Sequence, residues 1–132
     1  MEANGLVRLQ SVFTVKETID RLEAELHAKG IPVFARIDHA KGAAEAGLHL
    51  RPTELIIFGS AKTGTPMMQA IPTTGIDLPL KALAFADAEG STTLAYNDPR
   101  WVAQRHGVGP NETPTIHAMI SFLDAITAKA TK

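Results

Sequence analysis

The sequence predicts a single α+β domain, residues 1–132, built as a two-layer sandwich. In this fold two long helices cover one face of a curved, mainly antiparallel sheet of about five strands. Three observations support the prediction. The chain has the length of one domain, and its hydrophobic fraction of 45% suffices for one core. Two long segments near opposite ends of the chain repeat apolar residues at helical spacing. Short β-type runs with a hairpin signal lie between them, which favours an α+β architecture.

The N-terminal part of the chain predicts a strand followed by a long helix. Leu6–Val12 alternates between its two faces with the period of a strand, although imperfectly. Thr14 begins the helix, because its hydroxyl and the Glu17 side chain three residues later can form a capping box. Gly30 ends the helix as a left-handed cap. The apolar stripe of this helix consists of Val15, Ile19, Leu22 and Leu26.

The middle of the chain predicts two strands and two short helices. Ile31–Ile37 has the composition of a strand, and Asp38 can cap a short alanine-rich helix over His39–Ala46. Thr53–Phe58 is a compact apolar run that fits a well-buried strand. After a polar turn, Pro66–Ile71 can form a short helix, which the following proline and glycine residues end.

The C-terminal part predicts a hairpin and two more helices. Leu80–Ala86 and Ser91–Asn97 flank a short loop that contains glycine, which is a hairpin signal. Pro99 can start a helix that ends at Gly107. Thr113 then caps the last helix, with proline at its first position. The core face of that helix consists of Ile116, Met119, Ile120, Leu123 and Ile126.

Composition excludes several classes of function. The net charge of −1 provides no field that would attract a phosphate backbone, so we expect no nucleic-acid partner. The absence of cysteine removes disulfides, thiolate metal sites and cysteine nucleophiles. The five histidines have no helical metal-ligand spacing, so we predict no metal site. Without a signal-peptide pattern or a run of about 20 apolar residues, we expect a cytoplasmic protein that binds no membrane.

Polar motifs at the strand ends are the candidates for ligand binding. Asp38-His39 follows the second strand, and the segment Gly59 to Pro66, GSAKTGTP, follows the third. Free N–H groups at a helix start attract anions, and Lys62 adds a positive charge. The segment is not a Walker loop, because its lysine precedes the second glycine. The ligand-binding candidates are Asp38, His39, Lys62, Thr63, Gly64, Thr65, Tyr96 and Asn97.

The sequence specifies neither a cofactor nor a catalytic residue. No nucleophile elbow and no serine–histidine–aspartate pattern stands out. The candidates are His39 as a general acid or base, with Asp38 or Asp77 orienting it. A structural interpretation stays open for each of them. Asp38 is also a good helix cap with His39 as a polar residue of the first turn, and Asp77 also fits an ordinary connection pinned by Pro79. For Arg105 and His106, complementing the dipole of their helix is a sufficient explanation.

Four motifs together carry a resemblance to a known family. They are Ile37-Asp38-His39-Ala40, Phe58-Gly59-Ser60 through Gly64-Thr65, Gly75 through Lys81, and Tyr96-Asn97-Asp98-Pro99 with Arg105-His106. Their order and spacing between about Val12 and His106 resemble the domain of unknown function 302 family. One departure is Ser60, where that family commonly has asparagine.

The resemblance implies a fold like that of the TATA-binding protein, β-α-β(4)-α with extra short helices, and it implies a homodimer. Independently of the resemblance, a second copy is a simple way to cover the sheet face that the helices leave open. The fold does not imply DNA binding, because a fold does not determine a function. The family has no established activity that could be assigned to residues of this chain.

Three functions stay open at this point. The first, which we favour, is a homodimeric protein that binds a small molecule or an anion in a polar pocket at the strand-end loops, where sites usually lie on rigid scaffolds. The second is a protein-interaction module that uses its sheet face, with Val7, Leu9 and the fourth and fifth strands supplying the apolar surface. The third is an enzyme with His39 as its acid or base.

Overall fold

The apolar segments of the sequence form one sheet with helices packed against it. The computed structural model describes residues 2–132. The strands are β1 (Leu6–Ser11), β2 (Val33–Asp38), β3 (Thr53–Phe58), β4 (Leu80–Ala86) and β5 (Thr92–Asn97). The α-helices are α1 (Val15–Ala28), α2 (His39–Glu45), α3 (Ala61–Ala70), α4 (Pro99–His106) and α5 (Thr113–Thr131). Short 3-10 helices cover Pro72–Ile76 and Pro110–Glu112. The predicted α+β class is confirmed.

The sheet has the strand order β1-β5-β4-β3-β2, and every neighbouring pair is antiparallel. Because β1 and β2 lie at opposite edges, α1 crosses the sheet to connect them. The predicted hairpin joins β4 to β5. Its turn is held by the Asp87 carboxylate, which accepts hydrogen bonds from the N–H groups of Glu89 and Ser91, and by Gly90 at a φ of 84°.

The core lies between the sheet and the two long helices. The predicted α1 stripe is buried in full, and it packs with the second half of α5 against the sheet. The strand residues of this core alternate along the chain, because successive side chains of a strand point to opposite faces. The buried strand residues are Ile56, Phe58, Ala82, Ala84, Leu94 and Tyr96.

The same alternation leaves a second apolar surface on the far side of the sheet. We call Leu55, Ile57, Leu83 and Phe85 the open face, since they occupy the strand positions between the buried ones and are only partly buried. The prediction that Val7 and Leu9 contribute to this face is wrong. Both residues pair with core positions of β5 and pack against the core.

The antiparallel order also determines which loops can meet. One end of the sheet, which we call the Phe58 end, is formed by Leu6, Val33, Phe58, Leu80 and Asn97. The opposite end, the Asp38 end, is formed by Ser11, Asp38, Thr53, Ala86 and Thr92. The α3 segment therefore leaves the sheet at the Phe58 end, whereas α2 begins at the Asp38 end.

Helix α3 differs from its predicted bounds. It begins at Ala61, five residues before the predicted start at Pro66, and therefore contains that proline. The Ser60 carbonyl explains the earlier start, because it accepts hydrogen bonds from the N–H groups of Thr63 and Gly64 at 3.0 and 2.9 Å. Residues predicted to form a polar turn thus form the first helical turns.

Across residues 2–132, no helix has both the length and the apolar character that crossing a membrane requires.

Candidate functional site

A cavity of about 270 Å³ lies at the Phe58 end of the sheet. One wall is formed by the turn after β3 and the first turns of α3. A second wall is the Leu78-Pro79-Leu80 segment before and at the start of β4, whose Leu78-Pro79 peptide bond is cis. Phe34 and Met119 complete the lining. The lining is mainly apolar, whereas the sequence suggested a polar pocket at these loops.

Close backbone approach brings the two walls together. Gly59 is buried, and a Cβ atom at this position would lie 3.4 Å from Cβ of Pro79. The N–H of Gly59 donates to the carbonyl of Pro32, which links the turn after β3 to the residue that precedes β2. Lys81 holds the second wall, because its ammonium group donates to the Pro79 carbonyl at 3.1 Å. The cavity is therefore built on segments anchored to the sheet.

Three hydroxyl-bearing residues are among those that line the cavity: Ser60, Thr63 and Thr65. Ser60 occupies the N-cap position of α3, but within the described chain its side chain makes no capping hydrogen bond. Of the predicted ligand-binding residues, Thr63, Gly64 and Thr65 line the cavity. Lys62 is exposed on the same helix and is not part of the lining.

Asp38 and His39 lie at the other end of the sheet. Asp38 pairs with Glu54 at the start of β3, whereas the cavity follows Phe58 at its end, which pairs with Val33. At about 3.4 Å per residue, the length of β2 separates these positions by roughly 17 Å. The Asp38 carboxylate accepts the N–H of Lys41 and caps α2, as in the structural interpretation. The structure therefore does not bring Asp38-His39 and the α3 segment into one pocket.

Neither Tyr96 nor Asn97 lines the cavity, and Tyr96 belongs to the buried core. The Tyr96 hydroxyl donates to Oδ1 of Asp124 at 3.1 Å. Burial, together with this hydrogen bond, raises the pKa of Tyr96 to about 12. Asn97 lines a narrow internal space next to the cavity, together with Asp77 and Lys81. Leu78, Leu80 and Met119 border both spaces.

Asp77 forms hydrogen bonds with residues that belong to a different sequence motif. Its Oδ2 lies 2.5 Å from Nε2 of His106, and Nη1 of Arg105 donates to both carboxylate oxygens at 3.0 Å. The other ring nitrogen of His106, Nδ1, lies 2.9 Å from the Thr73 hydroxyl. We call these four residues the Asp77 cluster. Asp77 is therefore not positioned to orient His39, which lies at the Asp38 end.

The cluster was missed because its members are far apart in the chain. Arg105 and His106 follow Asp77 by 28 and 29 residues. No local periodicity connects positions at that separation. The one available signal was that both motifs belong to the pattern that resembles the family, and this signal says nothing about contact between them.

Comparisons with known proteins give relatives and a structural neighbour. The chain is 47% identical over 127 residues to "Fluoride-specific ion channel FluC 1" of Brucella suis biovar 1 (strain 1330), covering 96% of this chain and 50% of that protein. The protein of the same name from Brucella abortus biovar 1 (strain 9-941) is also 47% identical, over 96% of this chain and 47% of its own length. The chain thus spans about half the length of the curated relatives it matches.

The fold has a solved counterpart. The uncharacterized conserved protein DUF302 from Bacillus stearothermophilus matches with a TM-score of 0.84, over 97% of this chain and 99% of that one. The two chains are 19% identical, so this likeness shows the fold alone. The family model for "Domain of unknown function DUF302" matches residues 7–126. Motif order, family model and fold agree, and the chain belongs to the DUF302 family.

Proposed function

We propose that this domain binds a small molecule with a mainly apolar body in the cavity at the Phe58 end. The observation that carries the proposal is the apolar lining around about 270 Å³ of space. Releasing water from apolar surface is favourable, and small-molecule sites are typically concave and mainly apolar. The volume lies just below the roughly 300–1,000 Å³ typical of pockets for drug-sized ligands, so the proposed ligand is smaller than these.

The hydroxyl groups at the cavity supply the polar part of the proposed recognition. A few well-placed polar groups fix the orientation of a ligand in an apolar pocket. Ser60, Thr63 and Thr65 line the cavity, and a hydroxyl group that turns toward a ligand can both donate and accept a hydrogen bond. The ligand class is therefore a compact apolar molecule with one hydrogen-bonding group, such as an alcohol.

Fluoride is a poor candidate for this cavity, although relatives of this chain bear the name of fluoride channels. A small anion would lose its hydration against the apolar lining, and burying an unpaired charge is costly. The named channels are about twice as long as the matched region. The names of these relatives therefore do not identify the ligand of this domain.

Glycine 64 offers a way to fill the cavity. A Cβ atom there would lie 3.8 Å from Cδ1 of Leu78 and 3.9 Å from Cε of Met68, both of which line the cavity. The side chain of Gly64→Leu would therefore extend into the proposed ligand space. Gly42→Leu in α2 is the matched control, because a Cβ atom at that helical glycine meets nothing within 4 Å.

Benzyl alcohol and cyclohexanol are suitable probes, with amide chemical shifts as the readout. We expect both probes to shift the signals of Gly59 and its neighbours in the wild type and in Gly42→Leu, but not in Gly64→Leu. Sodium fluoride should leave these signals unchanged. Equal responses in Gly64→Leu and the control, or no response to either alcohol in the wild type, would contradict the proposal.

A second candidate is a protein-interaction function of the open face. The specific observation is that four large apolar side chains of β3 and β4 lie on the side away from the core and are only partly buried. We propose a second copy of the chain as the occupant, because a self-complementary apolar patch is the usual basis of a two-fold dimer. The oligomeric state in solution tests this candidate.

A further inference from the structure

We propose that Thr73 is a nucleophile activated by His106, with Asp77 as the positioning residue, and that it accepts acyl groups from small activated esters. This inference is independent of the ligand proposed for the cavity. The three side chains form a continuous chain of hydrogen bonds. Asp77 lies 2.5 Å from Nε2 of His106, and Nδ1 of that ring lies 2.9 Å from the Thr73 hydroxyl.

The carboxylate determines which ring nitrogen carries the proton. A carboxylate only accepts hydrogen bonds, so the neutral His106 ring places its N–H at Nε2, toward Asp77. Nδ1 is then the acceptor, and the Thr73 hydroxyl donates to it. This is the polarity that a general base requires before it removes a proton from a nucleophile.

The hydrogen-bonded side chains differ in their exposure to solvent. Catalysis requires a shielded base and an accessible nucleophile. The side chains of His106 and Asp77 are only 7% and 12% exposed, whereas Thr73 is exposed. The base is therefore shielded from bulk water while the hydroxyl can reach a substrate. Arg105 binds both oxygens of Asp77 and holds the carboxylate in place.

The backbone that carries Thr73 is also fixed. It belongs to the 3-10 helix Pro72–Ile76, which has proline at its first position. The next residue, Thr74, is fully buried, and its hydroxyl donates to the Ile71 carbonyl at 2.8 Å. A nucleophile needs a defined distance to its base, and this short helix supplies it.

The proposed reaction is an acyl transfer followed by hydrolysis. Oγ1 of Thr73 forms a bond to the ester carbonyl carbon while its proton passes to Nδ1 of His106. The C–O bond of the leaving group breaks, and the leaving oxygen takes up that proton. Water then attacks the acyl-threonine with the same base, which releases a carboxylic acid and restores Thr73. Water is the only co-reactant.

The experiment uses p-nitrophenyl acetate as the probe and follows both nitrophenol release and the site of acetylation by peptide mass mapping. We expect acetylation of the hydroxyl group at position 73 both in the wild type and in Thr73→Ser. His106→Gln should release nitrophenol at least about 100-fold more slowly, the lower end of what a general base contributes. Thr73→Ala, which lacks the nucleophile, should be slowed at least as much. Thr113→Ala, an exposed threonine at the start of α5, is the control and should react like the wild type.

If the contacts between the 3-10 helix Pro72–Ile76 and α4 have only a structural role, the experiment gives a different result. In that case acetylation occurs on lysines or on the N-terminus, and Thr73→Ala reacts at the wild-type rate. Either result would overturn the proposal. Because the His106 variant could lose stability, the Thr73 variants decide the question, and their melting temperatures are measured beside the rates.

Discussion

Gly5 lies buried beneath the indole ring of Trp101, with a positive φ of 77°. A Cβ atom at this position would lie 2.2 Å from Cγ of that ring. We expect Gly5→Ala to lower the free energy of unfolding by roughly 3 kcal/mol, because a left-handed alanine costs about 1–2 kcal/mol and overpacking adds a similar amount. Urea denaturation measures the change.

Gly90 in the β4–β5 turn is the matched control for this prediction. Its φ is 84°, but a Cβ atom there meets nothing within 4 Å. Gly90→Ala should therefore cost only the backbone strain, about 1–2 kcal/mol. Equal losses of unfolding free energy at the two positions would show that the Trp101 side chain moves aside at little cost in free energy.

Tyr96 joins strand β5 to helix α5 through its hydrogen bond to Asp124. Burial and this hydrogen bond raise its pKa to about 12, above the ordinary value of about 10. Since Tyr96 is the single tyrosine of the chain, ultraviolet absorbance follows its ionisation without overlap from another phenol. We expect the phenolate to form about two pH units later in the folded chain than in the urea-unfolded chain.

The same shift predicts a pH dependence of stability. The folded state binds the Tyr96 proton more tightly than the unfolded state does, so its contribution is complete below about pH 10 and is lost as the pH rises toward 12. Urea denaturation at about pH 9 and about pH 11 compares the wild type with Tyr96→Phe. The wild type should lose more stability between these values than the variant, and parallel losses would contradict the assignment.

The sheet has one face that is covered by α1 and α5 and one face that is partly exposed. Leu83 lies at the centre of the open face, paired with Leu55 on one side and Ala95 on the other. If a second copy covers this face, Leu83→Glu should convert a dimer into a folded monomer in sedimentation experiments. An interface of standard size would bury about 800 Å² of each copy.

Val12 offers the control for that substitution. It is 75% exposed just beyond β1 and lies outside the open face, so Val12→Glu exchanges an apolar side chain for a charge elsewhere. The control should sediment like the wild type. A wild type that stays monomeric at every concentration would exclude the dimer.

Local patterns in the chain were sufficient to predict most elements. The α1 stripe, the β3 run and the β4–β5 hairpin each depend on residues within a few positions of one another, and each is confirmed. The start of α3 was predicted at Pro66 and lies at Ala61. Its first hydrogen bonds go to the backbone carbonyl of Ser60, and residue composition does not reveal such a bond. The phase of β1 was also missed, since an imperfect alternation does not say which side faces the helices.

The fold class, the core faces of both long helices and the loops that carry polar residues could all be predicted from the amino-acid sequence. Which of those loops meet depends on the tertiary structure. Antiparallel pairing places Asp38 at one end of the sheet and the segment after Phe58 at the other, which separates two motifs that both follow strands. It also joins Asp77 to His106 across 29 residues. Periodicity and capping act within a few residues, whereas strand order and register set the distances between loops.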